Sequence, residues 1–408
     1  MLFSMLQEAV RVGAGRRALI GRSTSSYRQV FGSASNLVRQ LQRRGVGCGS
    51  HVAIDTDDPV EFAAAFFAAA SCGAIVVDGA SAQTGSSKSH GSGSQDSDFI
   101  LEHGAARVRG EMAPAKLPPR IAIRIARIGV TSSRSTRLRQ MGAVLADSSD
   151  GSRAAIYRHQ VNLSHEAKSL VRALEIDAKD KVLCTLELDR SPGLSVGLIA
   201  AIRARAAASF APANDADAIE DLVARLQPTI LVSDCATLLA HVVHRRRLER
   251  HLANVRLIVT PRSDLVPQLI EVQSGTKGRL VTFYHRPDTG IIALNTLGGS
   301  SDAAGRPLPG VRVSVERNWA VRPSLVAASP TFGSFLYLRS FPRSLHDAWE
   351  EVTEPGIPGQ IVVQSPATSP TASWGGRCYT NDRGYIDAAG ELHLLPDATP
   401  SACQARSA

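Results

Sequence analysis

Apolar and polar positions follow two periods along this chain. Between residues 27 and 44, Val30, Leu37, Val38 and Leu41 recur at helical spacing opposite Arg28, Arg39 and Arg43, and Gly45 and Gly47 end the segment. His51 to Ile54 predicts a buried strand, Pro59 to Ala70 an alanine-rich helix ending at Cys72-Gly73, and Ala74 to Val77 the next strand. Helices alternating with short apolar strands predict a parallel sheet. Ala80 to Asp98 is rich in Ser and Gly and poor in apolar residues, which predicts a flexible loop. Asp98 to Ala106 recovers helical character, whereas Gly110 to Gln140, rich in Pro and Arg, has no clear period.

The stretch from 142 to 174 is the most suggestive of chemistry. A short apolar run (Ala143, Val144, Leu145) leads into a small-polar turn, Asp147 to Ser152, then a second apolar step (Ala154, Ala155, Ile156) and a helix. Asn162 or Ser164 is the expected cap, with Glu166 early in the helix and Ala167, Leu170 and Leu174 on one face. Strand, small-residue loop and helix start is the layout that wraps backbone N–H groups around phosphate. The loop has one Gly, two acids and no Lys, with only Arg153 nearby as a cation, so on this stretch alone an ordinary polar turn is the simpler account.

A second run of alternating elements follows. Strands are predicted at Lys181 to Leu186, Thr229 to Val232, Val255 to Val259 and Leu280 to Tyr284. The helices between them are Gly193 to Ala208, Ile219 to Leu226, a basic-sided Ala236 to Arg250, and Leu265 to Val272. Beyond Asp288 the pattern changes to strands with Gly/Pro turns: Ile291 to Leu294, Val311 to Val315, Gly333 to Leu338 and Gly359 to Gln364. These predict a smaller β-rich, barrel-like unit.

Composition narrows the class. A chain of 408 residues with 44% hydrophobic and 20% charged residues has the balance of a soluble globular protein, and no apolar run approaches a membrane span. The N-terminus lacks the positive-then-apolar order of a signal peptide, so a cytoplasmic location is expected. Six scattered cysteines without a CxxC pair argue against a metal knuckle or disulfide framework. The net charge of +9 is spread over helix faces such as Arg245, Arg246, Arg247 and Arg250, and aromatics make up 5%, which suits a solvated basic face and not a nucleic-acid site.

The landmarks arrive in the order of the adenylate-forming superfamily, which includes acyl- and aryl-CoA synthetases. Ser26-Tyr27-Arg28-Gln29-Val30 resembles the family's T-Y-x-E-L helix start, and Arg44 to Ala53 its G-V-G-x-G-D-x-V-A turn and strand. Pro59-Val60-Glu61-Phe62 through Cys72-Gly73-Ala74-Ile75-Val76-Val77 is similar to its P-E-F helix and A-G-A-x-x-V strand. Tyr284-His285-Arg286-Pro287-Asp288-Thr289-Gly290 stands where the family has Y-G-T-T-E-T-G. Gly305-Arg306-Pro307-Leu308-Pro309-Gly310-Val311 matches G-R-P-L-P-G-V, Gly359 to Val363 resembles G-E-I-V-V, and Tyr379 to Asp387 lies where Y-R-T-G-D-L-G-Y-x-D would be. The resemblance covers nearly the whole chain except about 80 to 140.

It implies an α/β fold, the N-terminal domain of an adenylate-forming enzyme spanning 1–396, with two α/β subdomains plus the β-rich unit, and a tail at 397–408. It further implies that ATP and a small carboxylic acid form an acyl-adenylate and pyrophosphate, and that coenzyme A or a carrier-protein thiol takes the acyl group. By resemblance, Ser148, Ser149, Gly151, Ser152 and Arg153 form the phosphate loop, Tyr284 meets adenine, Asp382 grips ribose, and Asp288 binds Mg²⁺ at the catalytic centre. Asp288 after Pro287 also suits a plain turn, and Asn381-Asp382-Arg383-Gly384 a hairpin turn.

The departures from the family bear on activity. In Ser148 to Ala155 the loop is shortened, two glycines are gone and the Lys position reads as Ala154. The family's S-G-G-A is Thr260-Pro261-Arg262-Ser263, and Leu392 to Asp397 lacks the Arg of L-x-L-x-G-R. No counterpart of the lid domain, with its catalytic Lys, is expected after Leu395. The leading expectation is therefore an acid–thiol ligase-like protein with impaired catalysis, a pseudoenzyme. The alternatives are an active ligase whose lid is supplied by another chain, and a non-catalytic binding or assembly partner of biosynthetic enzymes.

Overall fold

The computed structural model describes residues 1–21, 23–56, 58–77, 99–103, 123–127, 143–147, 156–188, 190–240, 252–273, 278–296, 303–317, 350–352, 354–370, 372–373 and 376–395. The phosphate-loop candidates Ser148, Ser149, Gly151, Ser152 and Arg153 lie outside these residues. So do the Ser/Gly-rich 80–98, the basic 241–250, the strand expected at Gly333 to Leu338, and the tail 397–408.

Helix α1 (Leu2–Gly13) precedes strands β1 (Arg17–Ile20) and β2 (Thr24–Ser26), and α2 (Tyr27–Arg43) is the first amphipathic helix of the sequence. Ser26 caps α2: its Oγ accepts from the Gln29 N–H at 3.3 Å, and the Gln29 side-chain Oε1 accepts from the Ser26 N–H at 2.9 Å. β3 (His51–Asp55), α3 (Pro59–Ser71) and β4 (Ile75–Val77) follow. Asp58 caps α3 by accepting from Val60 and Glu61, and Pro59 at the first helical position sacrifices no donor. All of α3 up to Ala70 is buried, as a helix apolar on every side requires.

β5 (Phe99–His103), β6 (Ile123–Arg127), β7 (Ala143–Asp147) and β8 (Ile156–His159) complete a six-stranded sheet in the order β6-β5-β3-β4-β7-β8. Its inner pairings are parallel, and β6 and β8 run antiparallel at the edges. Of the helical stretch expected at Asp98 to Ala106, the described part, Phe99–His103, is strand, because Phe99-Ile100-Leu101 is too short a run for period to decide and pairing with β3 decides it. α4 (Gln160–Ala173) begins before the expected cap: Asn162 sits inside its first turn and its side-chain oxygen accepts from the His159 N–H at 2.8 Å.

The second half builds a larger sheet from β9 (Lys181–Cys184), β10 (Ala207–Phe210), β11 (Ile230–Val232), β12 (Leu257–Pro261) and β13 (Arg279–Arg286). Between them lie a π-helical segment (Gly193–Ile199) running into α5 (Ala200–Ala204), then α6 (Ala216–Leu226), α7 (Cys235–Leu238) and α8 (Val266–Gln273). The helix expected through Ala208 stops at Ala204, where Arg205 turns left-handed at φ 62°, and Ala207 to Phe210 join the sheet instead. β14 (Gly290–Asn295), β15 (Ala303–Pro307), β16 (Arg312–Arg317), β17 (Glu350–Glu351), β18 (Gly359–Gln364), β19 (Cys378–Ile386) and β20 (Leu392–Leu394) form the antiparallel part. The order is β17-β16-β18-β19-β20-β15-β14-β13-β12-β11-β9-β10-β1-β2, so the β-rich unit continues the parallel sheet through β14 and β15.

Helices α1 to α5 fill the layer between the two sheets. One apolar cluster joins Leu6, Leu37, Phe66, Phe67 and Leu170 to Val52 and Val76 of the first sheet and Val182, Val232 and Val281 of the second. The buried Tyr27 hydroxyl donates to the Ala206 carbonyl at 2.8 Å across this layer. Among the described residues no helix is long and apolar enough to cross a membrane.

Candidate nucleotide site

The carboxyl ends of parallel strands, where a sheet changes connection, are where such folds place ligands. Here β12 and β13 end side by side, Pro261 against Phe283, just before the chain turns at Pro287 to Thr289 into the antiparallel β14. The turn holds Asp288 and closes on Gly290 at φ 73°. A Cβ at Gly290 would lie 2.7 Å from Glu166 Oε1 and 2.8 Å from Arg158 Nη2, so only glycine fits.

That backing is a buried polar network. Arg158 Nη2 donates to Glu166 Oε2 at 2.8 Å, and the Ser195 hydroxyl and the Ile291 N–H donate to Glu166 Oε2 and Oε1, both at 2.8 Å. Arg158 Nη1 reaches Ser191 Oγ at 3.0 Å and the Pro287 carbonyl at 3.4 Å. From the other side, the Ser369 N–H donates to the Asp288 carbonyl at 2.7 Å and its hydroxyl to the Tyr157 carbonyl at 2.6 Å. The turn that carries Asp288 is therefore fixed by β8, α4 and the segment after β18.

Asp382 enters from β19. The register of β18 and β19 jumps from Gln360 opposite Arg383 to Val362 opposite Tyr379, leaving Thr380, Asn381 and Asp382 to bulge against Ile361. Such a bulge re-aims a side chain. The Thr380 hydroxyl fastens it, donating to the Ile361 carbonyl at 2.9 Å and accepting from the Asp382 N–H at 3.3 Å. Asp382 lies inside a strand and not in a hairpin turn.

Arg286 joins the two carboxylates. Its Nε lies 3.3 Å from Asp288 Oδ1 and its Nη1 lies 3.2 Å from Asp382 Oδ2, and the Tyr284 hydroxyl donates to the same Asp382 oxygen. The remaining oxygen of Asp288, Oδ2, faces Cys378 Sγ at 3.6 Å. Burial and the adjacent Asp382 push the Tyr284 phenol well above its ordinary value, which keeps it a donor. Burial, then Asp288, raise the Cys378 thiol likewise. For Arg286, burial works against the charge, but Asp288 and Asp382 outweigh it and hold the guanidinium protonated.

The structure thus brings together Tyr284, Asp288 and Asp382, three residues singled out in the sequence. Three members of the cluster carried no such signal. Arg286 occupies an unremarkable position of the Tyr284 to Gly290 segment, Cys378 precedes its motif, and the buried Arg158 reads as one more surface cation. Tyr284 is 7% exposed and packs among Ile292, Ala293, Ile361 and Leu392, so its ring is largely covered.

The donor set around Asp288 does not suit Mg²⁺. A hard divalent cation takes oxygen ligands, whereas a guanidinium and a thiol face both Asp288 oxygens. Among the described residues no group of three or more His, Cys, Asp or Glu side chains converges as metal ligands.

Fold and cluster together define an α/β protein with the architecture of the adenylate-forming N-terminal domain. The chain matches the sequence profile of AMP-binding enzymes over residues 6–114. Its structure is similar to ATP-bound MatB from Rhodopseudomonas palustris, with a TM-score of 0.70 and 19% identity over 97% of this chain and 78% of that one. It is similar to o-succinylbenzoate coenzyme A synthetase (MenE) from Bacillus subtilis in complex with AMP, at TM-score 0.70 and 17% identity over 97% and 78%. It also resembles a long-chain-fatty-acid CoA ligase assigned in Rhodopseudomonas palustris, at TM-score 0.71 and 17% identity over 97% and 98%. No curated protein matches it in sequence. The profile match thus covers the first part of the chain, and the structural neighbours share its fold.

Proposed function

We propose that this chain is an AMP-dependent synthetase-like protein of the acid–thiol ligase type that retains nucleotide recognition and has impaired adenylation chemistry. The observation that carries this reading is Arg286, bonded at once to Asp288 and Asp382. Adenylation places growing negative charge on the departing pyrophosphate, which cations and N–H donors must meet as it forms. The described cluster offers one guanidinium already shared between two carboxylates, a net charge of about −1 that opposes a triphosphate at close range.

The neighbouring backbone adds little. At Thr260 to Arg262, Pro261 has no N–H and the Arg262 N–H donates to the Phe283 carbonyl at 2.9 Å. Glycine at 261 would restore an N–H and remove bulk; here Pro261 offers none and the one N–H of the pair is taken up by the sheet.

ATP or AMP is the ligand class, supported by the ATP-bound and AMP-complexed structural neighbours. A small carboxylic acid, and coenzyme A or a carrier-protein thiol, are the proposed substrates of the ancestral reaction. Binding or assembly with biosynthetic enzymes is the role left to a chain that binds nucleotide without turnover. Acid-dependent exchange of labelled pyrophosphate into ATP over a panel of aryl and fatty acids, run beside an AMP-binding titration, tests the reading. Binding with exchange at background supports it, and robust exchange overturns the impairment.

A further inference from the structure

We infer that Arg286 stands in for the divalent cation at this site, so that the nucleotide it takes is a metal-free nucleoside monophosphate and not a metal–triphosphate complex. The inference rests on the nucleotide-binding reading above and concerns which nucleotide is bound and with what counter-charge.

The argument begins with the space between Asp288 and Asp382. Both carboxylates are anchored by backbone features, the glycine-closed turn before β14 and the bulge of β19, so neither retreats easily from the other. Two carboxylates held close need a cation between them, and a hydrated divalent ion or a guanidinium meets that need. The chain supplies the guanidinium from Arg286, two residues before Asp288 on the same strand end, with 21% of its side chain exposed. The guanidinium is therefore partly accessible to solvent.

A second observation closes the alternative. A metal ion at Asp288 would have to compete with donors already set against both carboxylate oxygens. Arg286 Nε occupies the Oδ1 side and the Cys378 S–H the Oδ2 side, and Cys378 is itself buried in β19. Loading a metal there would set a second cation against a partly exposed guanidinium already held in two ion pairs. A monophosphate makes no such demand. Its charge is small enough for the exposed face of Arg286, whereas a triphosphate without metal brings about three to four negative charges toward two fixed carboxylates.

The test uses the purified full-length chain in two arms. In the first, Mn²⁺ alone is titrated and followed by the loss of its free electron paramagnetic resonance signal. The wild type is expected to take up no Mn²⁺ below millimolar concentrations, and Arg286→Gln, checked for folding by its thermal melt, to gain a site at least tenfold tighter. Uptake by the wild type that Asp288→Asn abolishes would overturn the substitution of metal by Arg286, whatever the nucleotide result. In the second arm, AMP and ATP are titrated by calorimetry with Mg²⁺ and with EDTA. The inference expects AMP to bind with a Kd that changes less than threefold between the two conditions, and Mg²⁺–ATP to bind more weakly than AMP. A larger Mg²⁺ dependence for AMP, or tighter binding of Mg²⁺–ATP, would overturn it while leaving nucleotide recognition in place. No heat from any nucleotide would remove the nucleotide reading and this inference with it.

Discussion

Arg158 and Glu166 face each other 2.8 Å apart with their side chains 0% and 1% exposed, an ion pair wholly out of water beneath the Pro287–Gly290 turn. A buried pair is fragile to the loss of one member, since the survivor keeps its desolvation cost and loses its compensation. Arg158→Met should lower stability by about 3–5 kcal/mol. The double variant Arg158→Met/Glu166→Met should lose less than the sum of the two single changes. Urea unfolding of the four proteins checks this, and simple additivity would show that the two side chains are not coupled.

Gly290→Ala tests the same junction from the backbone side. A φ of 73° costs a residue with a Cβ about 1–3 kcal/mol, and the new methyl would press on Glu166 and Arg158. The expected result is a lower unfolding midpoint with an unchanged slope on denaturant. A midpoint equal to wild type would mean that the turn relaxes freely.

Asp382→Ala removes the acceptor shared by Tyr284 and Arg286. If ribose is held where the superfamily holds it, AMP affinity should fall by about 1–3 kcal/mol through lost charged hydrogen bonds. Calorimetry provides the number, and an unchanged affinity takes Asp382 out of the site.

If adenylation is impaired as proposed, a single repair should not restore it. Groups acting on one transition state are not additive, so Ala154→Lys is expected to leave pyrophosphate exchange at background. The proposed phosphate loop would still lack the family's glycines, Pro261 would still offer no N–H, and the Arg262 N–H would still be bonded to Phe283. Exchange raised a hundredfold or more by that one change would locate the whole defect in the loop.

Asp180 gives a pH signature away from the site. It accepts from Arg256 Nη2 at 2.7 Å and Nε at 2.9 Å, from the Thr229 hydroxyl at 2.7 Å and from the Asp177 N–H at 2.9 Å. Burial opposes its charge, but Arg256 and the other donors win, and the carboxyl is held below its ordinary 3.8. A depressed folded value stabilises above the unfolded one and is lost as pH falls through the folded one. The stability gap between wild type and Asp180→Asn, about 1–3 kcal/mol at pH 7, should therefore close on acidification below pH 3.8. A gap that persists at pH 2 would assign it to packing.

The alternation of apolar strands and amphipathic helices was legible because each element carries its own period or cap, as with Ser26 and Gln29 at the start of α2. Gly305 was legible as a motif glycine, and the structure gives the reason: a Cβ there would come within 2.1 Å of the Leu294 carbonyl oxygen. Features set by distant pairing were not. Phe99 to His103 became strand through β3, and Ala207 left its helix for the sheet. The bulge at Asp382 arises from how β19 meets β18, which no local pattern encodes. The role of Arg286 likewise depends on a carboxylate 96 residues further along the chain.

The seat of β1 has a consequence for how this protein is made. Leu19 lies opposite Ala208, and Ser209 donates to the Ile20 carbonyl across 189 residues of sequence. On the ribosome, β1 therefore has β2 as its neighbour and no parallel partner until β10 has been synthesised, about 10–40 s later at ~5–20 residues per second. Through that interval Ala18, Leu19 and Ile20, all buried in the finished molecule, are missing that cover, together with the faces of α1 and α2 that pack against the later half. Nascent chains of this protein should thus depend on chaperones chiefly before residue 210 emerges, and fragments ending short of β10 should aggregate where longer ones stay in solution.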